Sequence, residues 1–431
     1  MKKHYYPSIN ETLYTEVLPN GLEVMLLPKN DFHKTYGLFT TNYGSIDNEF
    51  IPIGQKDFVT VPDGIAHFLE HKLFEKEDED VFQKFGRQGA ASNAFTSFTR
   101  TSYLFSSTDN VMQNIETLID FVQTPYFTEE SVNKEKGIIG QEIQMYQDEP
   151  NWRLFFGILN NMYPKHPLHI DIAGTIESIE PITAEDLYLC YNTFYHPSNM
   201  NLFIVGKMNP EEMLEFIKDN QASKEFPKAV TIKRHFPKET SNDIIKEDKI
   251  NLSVHRPKAI VGLKGLDTPP EDGFERLKYQ TTIQLLLQLL FGMSSKNYLT
   301  MYNSGLIDDS FSFEFSFDRS FHFADFSSDT DEPERFANQI INYLLKSENS
   351  PELTKQNLDL AKKKMIGKHL KSLDSLEYIA NQFSGMKFGD TTLFDLVNVI
   401  NSIELEDLTR VQSAFIRPEA LSRFFIYPEE R

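Results

Sequence analysis

Three polar residues inside one apolar run set out the chemistry this chain can do. The segment GIAHFLEHKLF carries His67, Glu70 and His71. On an α-helix, residues four apart share a face one turn apart, so both imidazoles can reach a single ion. Glu70, three residues after His67, lies beside them. Two neutral imidazoles suit zinc, and a carboxylate next to an open coordination position can take a proton from bound water. The order is H-x-x-E-H, the reverse of the commoner H-E-x-x-H. Short motifs recur by chance on solvated helices. Here Ala66, Phe68, Leu69, Leu73 and Phe74 make the helix apolar, so polar groups on it need partners.

A catalytic zinc ion takes three protein ligands and keeps one position for water. The stretch EKGIIGQEIQMYQDEP reads as a second helix with Glu142 between Ile139 and Ile143, inside an amphipathic pattern. Glu142 is the best third ligand, with Glu149 and the acidic stretch 129–135 also offering carboxylates. Glu135 falls two helical turns before Glu142 on nearly the same face, able to orient a ligand histidine by a hydrogen bond. The remaining histidines lack the one-turn pairing and read as structural or solvated. The acidic run Glu75, Glu77, Asp78, Glu79, Asp80 reads as a capped or solvated loop.

The elements that must position these groups repeat along the chain. ITAEDLYLCYNTFYHPSNMNLFIVG and IELEDLTRVQSAFIRPEALSRFFIYP align at an offset of 221, which pairs Asp186 with Asp407, Leu187 with Leu408, Phe194 with Phe415 and Pro197 with Pro418. The same offset pairs Gly44 with Gly265, each closing a strand-like run. A tandem duplication of units of about 200 residues follows. Strand-like runs alternate with longer helical patterns in each half, the signature of an α+β fold. The expected architecture is two homologous sandwich domains, each a mostly antiparallel sheet with helices packed on one face. Residues 1–225 are expected to form the domain with the metal site, 226–245 a linker, and 246–431 a degenerate copy. In that copy His67, Glu70 and His71 are replaced by Gln288, Phe291 and Gly292, and the neighbourhood matching Glu142 offers Lys363 and His369.

A formal charge of −20 argues against nucleic acid, which needs a basic footprint. One cysteine, Cys190, excludes an intramolecular disulfide and fits a reducing cytoplasm. The longest apolar stretch, TTIQLLLQLLFG, is too short and too interrupted to span a membrane. The chain is therefore expected to be cytoplasmic, without membrane or nucleic-acid partners.

The LPNGLEV opening, the H-x-x-E-H helix, the NAFTSFTRTSY segment, the paired glutamates and FYHPSNMNLFIVG together resemble the insulinase/pitrilysin (inverzincin) family of zinc peptidases. The likeness extends to its mitochondrial processing peptidases and its YmfH-like bacterial members. It covers most of the first half with high specificity and rests on the degenerate repeat in the second. The resemblance implies a Zn²⁺ ion held by His67, His71 and Glu142, with Glu70 as general base and Glu135 supporting the site. It implies that Asn93, Ala94, Phe95 and Thr96 form an edge strand receiving the backbone of a peptide substrate. It also implies a clamshell of which this chain is half, so a homodimer or a related partner subunit. An Arg and a Tyr from the second half commonly steady the substrate carbonyl in this family. Here FSFEFSFDRSFHFADFSSDT offers Arg319, with Phe321, Phe323 and Phe326 where a Tyr is expected. The implied activity is a metalloendopeptidase acting on peptides or unstructured segments. The competing expectation is a peptide-binding, non-catalytic partner of a heteromeric peptidase.

Overall fold

Strand-like and helical stretches form two large sheets in the computed structural model, which describes residues 1–77 and 79–429. Two compact units emerge. The first comprises Met1–Gln144, Ile170–Phe236 and Ser372–Gly385, and the second Met145–His169, Pro237–Lys371 and Met386–Arg431. The first unit holds β1 (Lys2–Tyr6), β2 (Glu11–Val17), β3 (Glu23–Pro28), β4 (Thr35–Thr41), the short ribbon β5 (Glu49–Phe50) and β6 (Val59–Thr60), β7 (Ala90–Thr96), β8 (Thr101–Ser107) and β9 (Met200–Gly206). Its main sheet runs β1-β2-β3-β9-β4-β8-β7, antiparallel except where β3 meets β9. The second unit holds β10 (Glu247–Leu252), β11 (Lys258–Lys264), β12 (Ser312–Phe317), β13 (His322–Asp329) and β14 (Leu421–Pro428). They run β10-β14-β11-β13-β12, with β10 and β14 the parallel pair.

The repeat in the sequence is a repeat of elements. The 221-residue offset carries the helix Ala184–Phe194 onto the helix Leu405–Phe415, and the first residue of β9 onto the first of β14. It also carries the last residue of β7 and the first of β8 onto those of β12 and β13. The compact units, in contrast, are discontinuous. The helix Pro150–Met162 packs within the second unit on β11 and β14, and the helix Leu376–Gly385 packs within the first on β4 and β9. The repeat records how the chain was duplicated, and the units record where each apolar helix face found cover. Within the second unit Gly157 lets Phe424 close in: a Cβ there would lie 2.4 Å from its ring.

The polar stretch 219–245 is held by charge. Arg234 Nε meets the buried Asp47 at 2.8 Å in the first unit. In the second, Lys264 pairs with Glu239. Asp80 caps the helix Val81–Arg87 by accepting from the Phe82 N–H, as a capped acidic loop requires; Asp78 lies outside the described residues.

Gly44 and Gly265 each give room for close approach of the hairpin that follows, Gly44 to its turn and Gly265 to the first residue of its second strand. A Cβ at 44 would lie 2.4 Å from the Thr99 nitrogen, and one at 265 would lie 2.0 Å from the His322 ring. That ring meets Asp267 Oδ1 at 3.0 Å, and Tyr279 donates to Asp267 Oδ2 at 2.7 Å. Gly265→Ala should therefore destabilise the protein by about 1–3 kcal/mol, the range for overpacking, read as a lower denaturant midpoint at unchanged slope.

His369 is buried, and neither ring nitrogen has a hydrogen-bond partner among the described residues. Burial pushes its pKa down from 6.5 to about 4. Its contribution to stability is thus full above pH 6.5 and is lost as pH falls toward 4. Replacing it, as in His369→Leu, should flatten the acid decline of the melting temperature across that window, measured by denaturation at a series of pH values.

Candidate metal centre

The helix Ile65–Phe74 starts at Gly64, whose φ of 88° is left-handed and whose missing side chain leaves room for the Ala173 carbonyl, 2.4 Å from where a Cβ would stand. Its apolar residues Phe68, Leu69 and Leu73 are fully buried. The same packing draws His67 and Glu70 inside, each 8% exposed. The second helix, Glu129–Gln147, buries Val132, Ile139 and Ile143. Glu135 and Glu142 stand on the side of that helix that meets the two histidines.

The imidazoles lie with ring centroids 4.6 Å apart. His67 Nε2 is 3.7 Å from Glu142 Oε1, and His71 Nε2 is 3.5 Å from Glu142 Oε2. Both gaps are too wide for a hydrogen bond. They match the separation of about 3.4 Å expected between two ligands of one tetrahedral ion bound at zinc distances. One donor atom from each of His67, His71 and Glu142 lies within 4.8 Å of the other two, a grouping that could hold a metal ion. The donor set of two imidazoles and a carboxylate fits zinc. His71 Nδ1 contacts Glu135 Oε1 at 3.1 Å. With the proton placed on Nδ1, the Nε2 lone pair is directed toward Glu142.

The electrostatics separate the groups. Burial, with the neighbouring His71, pushes His67 down to about 4, which keeps it neutral. His71 shifts upward: burial opposes its charge, but the Glu135 hydrogen bond and the nearby carboxylates outweigh it. Glu70 is raised by burial, against a hydrogen bond from Thr96 that favours the ionised form.

Of the carboxylates that spacing leaves open, Glu149 is engaged elsewhere. It caps the helix Pro150–Met162, accepting from the Trp152 N–H at 2.6 Å. Asn93, Ala94, Phe95 and Thr96 lie on β7, an edge strand whose partner is β8. Ser97 N–H donates to the Arg100 carbonyl at 2.8 Å. Antiparallel alternation then turns the N–H and C=O groups of Ala94 and Thr96 outward. The Asn93 side chain meets the Ala94 N–H at 2.9 Å. Arg319 sits in the turn between β12 and β13, its N–H on Asp318 Oδ1 at 2.7 Å; it belongs to the second unit, and the His-His-Glu group to the first. The contact that sequence spacing does not reveal is Thr96 Oγ1 donating to Glu70 Oε2 at 2.6 Å, which joins a strand to a helix 26 residues away.

Fold and site define a duplicated α+β protein with one H-x-x-E-H helix and a convergent His-His-Glu donor set in its first unit. The chain belongs to the insulinase family of peptidases, M16. The family model described as "Insulinase (Peptidase family M16)" matches residues 60–176, and "Peptidase M16 inactive domain" matches 181–365. It is 53% identical over 424 residues to the "Uncharacterized zinc protease YmfH" of Bacillus subtilis (strain 168), with 98% of each chain covered. A crystal structure of an M16-like protein from Alicyclobacillus acidocaldarius is 35% identical with a TM-score of 0.92, covering 97% of this chain and 99% of that one. The periplasmic protease PqqL of Escherichia coli shares the fold, at 19% identity and a TM-score of 0.74, over 100% of this chain and 48% of its own. No helix among the described residues is long and apolar enough to cross a membrane.

Metal analysis checks the donor set. The native chain should hold about one zinc ion. His71→Ala should lose it. Glu135→Gln should keep it with roughly 10–100-fold weaker affinity, read by competition with a chelator.

Proposed function

We propose that this chain is a zinc-dependent endopeptidase acting on peptides or unstructured polypeptide segments. The observation that carries the reading is the convergence of His67, His71 and Glu142, with the buried Glu70 carboxylate on the helix that carries the two histidines. In this reading the three donors hold Zn²⁺, which when bound supplies a Lewis acid for a peptide carbonyl and acidifies a water. Glu135 fixes the tautomer and orientation of His71 through its 3.1 Å contact. Glu70 takes the proton of the attacking water and hands it to the leaving amine nitrogen, so that one C–N bond breaks as one C–O bond forms. The open edge at Asn93, Ala94, Phe95 and Thr96 pairs with the extended substrate backbone, which favours flexible chains over folded ones. Arg319 is the residue proposed to steady the charge that grows on the carbonyl oxygen.

Two chains, identical or related, would enclose the substrate. PqqL, which carries this fold in about half of its own length, supports that arrangement by its length alone. The buried free thiol of Cys190 suits a reducing cytoplasm.

The test pairs zinc content with cleavage of a quenched-fluorescent peptide mixture, for the native chain and Glu70→Gln. Native cleavage, with a variant that keeps zinc and loses about 100-fold or more in kcat, supports the reading. If both proteins hold zinc and neither cleaves, even with co-purifying partners present, the peptidase reading falls and a peptide-binding subunit takes its place.

A further inference from the structure

Glu70 is held from outside its own helix. Thr96 Oγ1 donates to Glu70 Oε2 at 2.6 Å, the one hydrogen bond this carboxylate accepts among the described residues. Proton counting fixes the direction. A carboxylate only accepts, and each threonine hydroxyl has a single proton. The neighbouring Thr101 hydroxyl, 3.3 Å from Thr96 Oγ1, donates to the Tyr43 carbonyl at 2.9 Å. The Thr96 proton is therefore the one directed at Glu70.

Thr96 is itself firmly placed. It is β-branched, which limits its rotamers, and it is the last residue of β7 before a tight turn. That turn closes over Gly44, where any Cβ would collide with the backbone of Phe98 and Thr99. Thr101 and Tyr43 behind it are fully buried. The backbone of Thr96 faces the open side of the edge strand while its side chain holds Glu70.

We infer that Thr96 is a positioning residue for Glu70. Its hydroxyl pins Oε2 and leaves Oε1 as the oxygen available for proton transfer. It also ties the carboxylate to the strand along which an extended peptide would lie. This inference rests on the peptidase reading for its catalytic consequence, but the contact itself can be tested without metal or substrate.

The test uses Thr96→Val, which keeps the shape and removes the hydroxyl, and Thr96→Ser, which keeps the hydroxyl. In the zinc-loaded chain, Thr96→Val should lower kcat by about 10–100-fold, the effect of losing a hydrogen bond to a charged group. KM should stay within about two-fold and Thr96→Ser should restore most of kcat, because only orientation of the base has changed. In the metal-free chain, Thr96→Val should lower the denaturation midpoint in the native background and have little effect in the Glu70→Ala background. Equal shifts in both backgrounds overturn the inference. So does an active Thr96→Val enzyme with native kcat, or a Thr96→Ser that is no better than valine. If the native chain cleaves nothing, the peptidase reading fails by itself, and the metal-free cycle alone decides whether Thr96 positions Glu70.

Discussion

The structure of the first unit depends on burying charged and polar groups along an apolar helix. Ile65–Phe74 packs Phe68, Leu69 and Leu73 into the core, and with them go His67, Glu70 and Lys72. A buried carboxylate or imidazole without a partner costs about 1–3 kcal/mol or more. Partners come from other elements: Glu135 of the helix Glu129–Gln147 meets His71 and Thr96 of β7 meets Glu70, while His67 Nδ1 has no hydrogen-bond partner among the described residues. Lys72 finds its own on the next turn, in Glu75. The docking of two helices and a strand end is thus coupled to satisfying the site, and misplacing any one of them would leave a charge buried alone.

The second unit separates the demands of the scaffold from those of the chemistry. It keeps the strand order and the hairpin, and it keeps a glycine where that hairpin comes close, Gly265 standing as Gly44 does. On the helix that corresponds to the metal helix, Phe291 replaces the glutamate and is fully buried among Leu286, Leu287 and Leu290. The polar positions have become core. His369, near the residues that match Glu142, is a buried imidazole whose pKa burial lowers to about 4.

The parts of this architecture legible in the chain were those governed by short-range periodicity. One turn of helix puts His67, Glu70 and His71 together whatever the rest of the fold does, and a duplication preserves spacing, so the offset of 221 survives even where residue types have diverged. The choice among carboxylates was not legible, because Glu142 and Glu149 are seven residues, or two helical turns, apart on an otherwise similar stretch. The chain breaks helix between them, and Glu149 becomes the cap of the next helix. Nor was the exchange of Pro150–Met162 and Leu376–Gly385 between units visible, since an amphipathic pattern says that a face must be covered and not by what.

The sequence by itself determined the donor types, the facing of two histidines and a glutamate, the duplicated α+β plan and the loss of the metal-type residues from the second copy. These follow from helical geometry and from residue identity. Only the tertiary structure shows Glu142 within reach of both histidines, Glu135 in contact with His71, β7 with Asn93–Thr96 at the end of its sheet, and Thr96 donating to Glu70. Those are contacts between segments tens of residues apart, set by how apolar faces pack rather than by any local period in the chain.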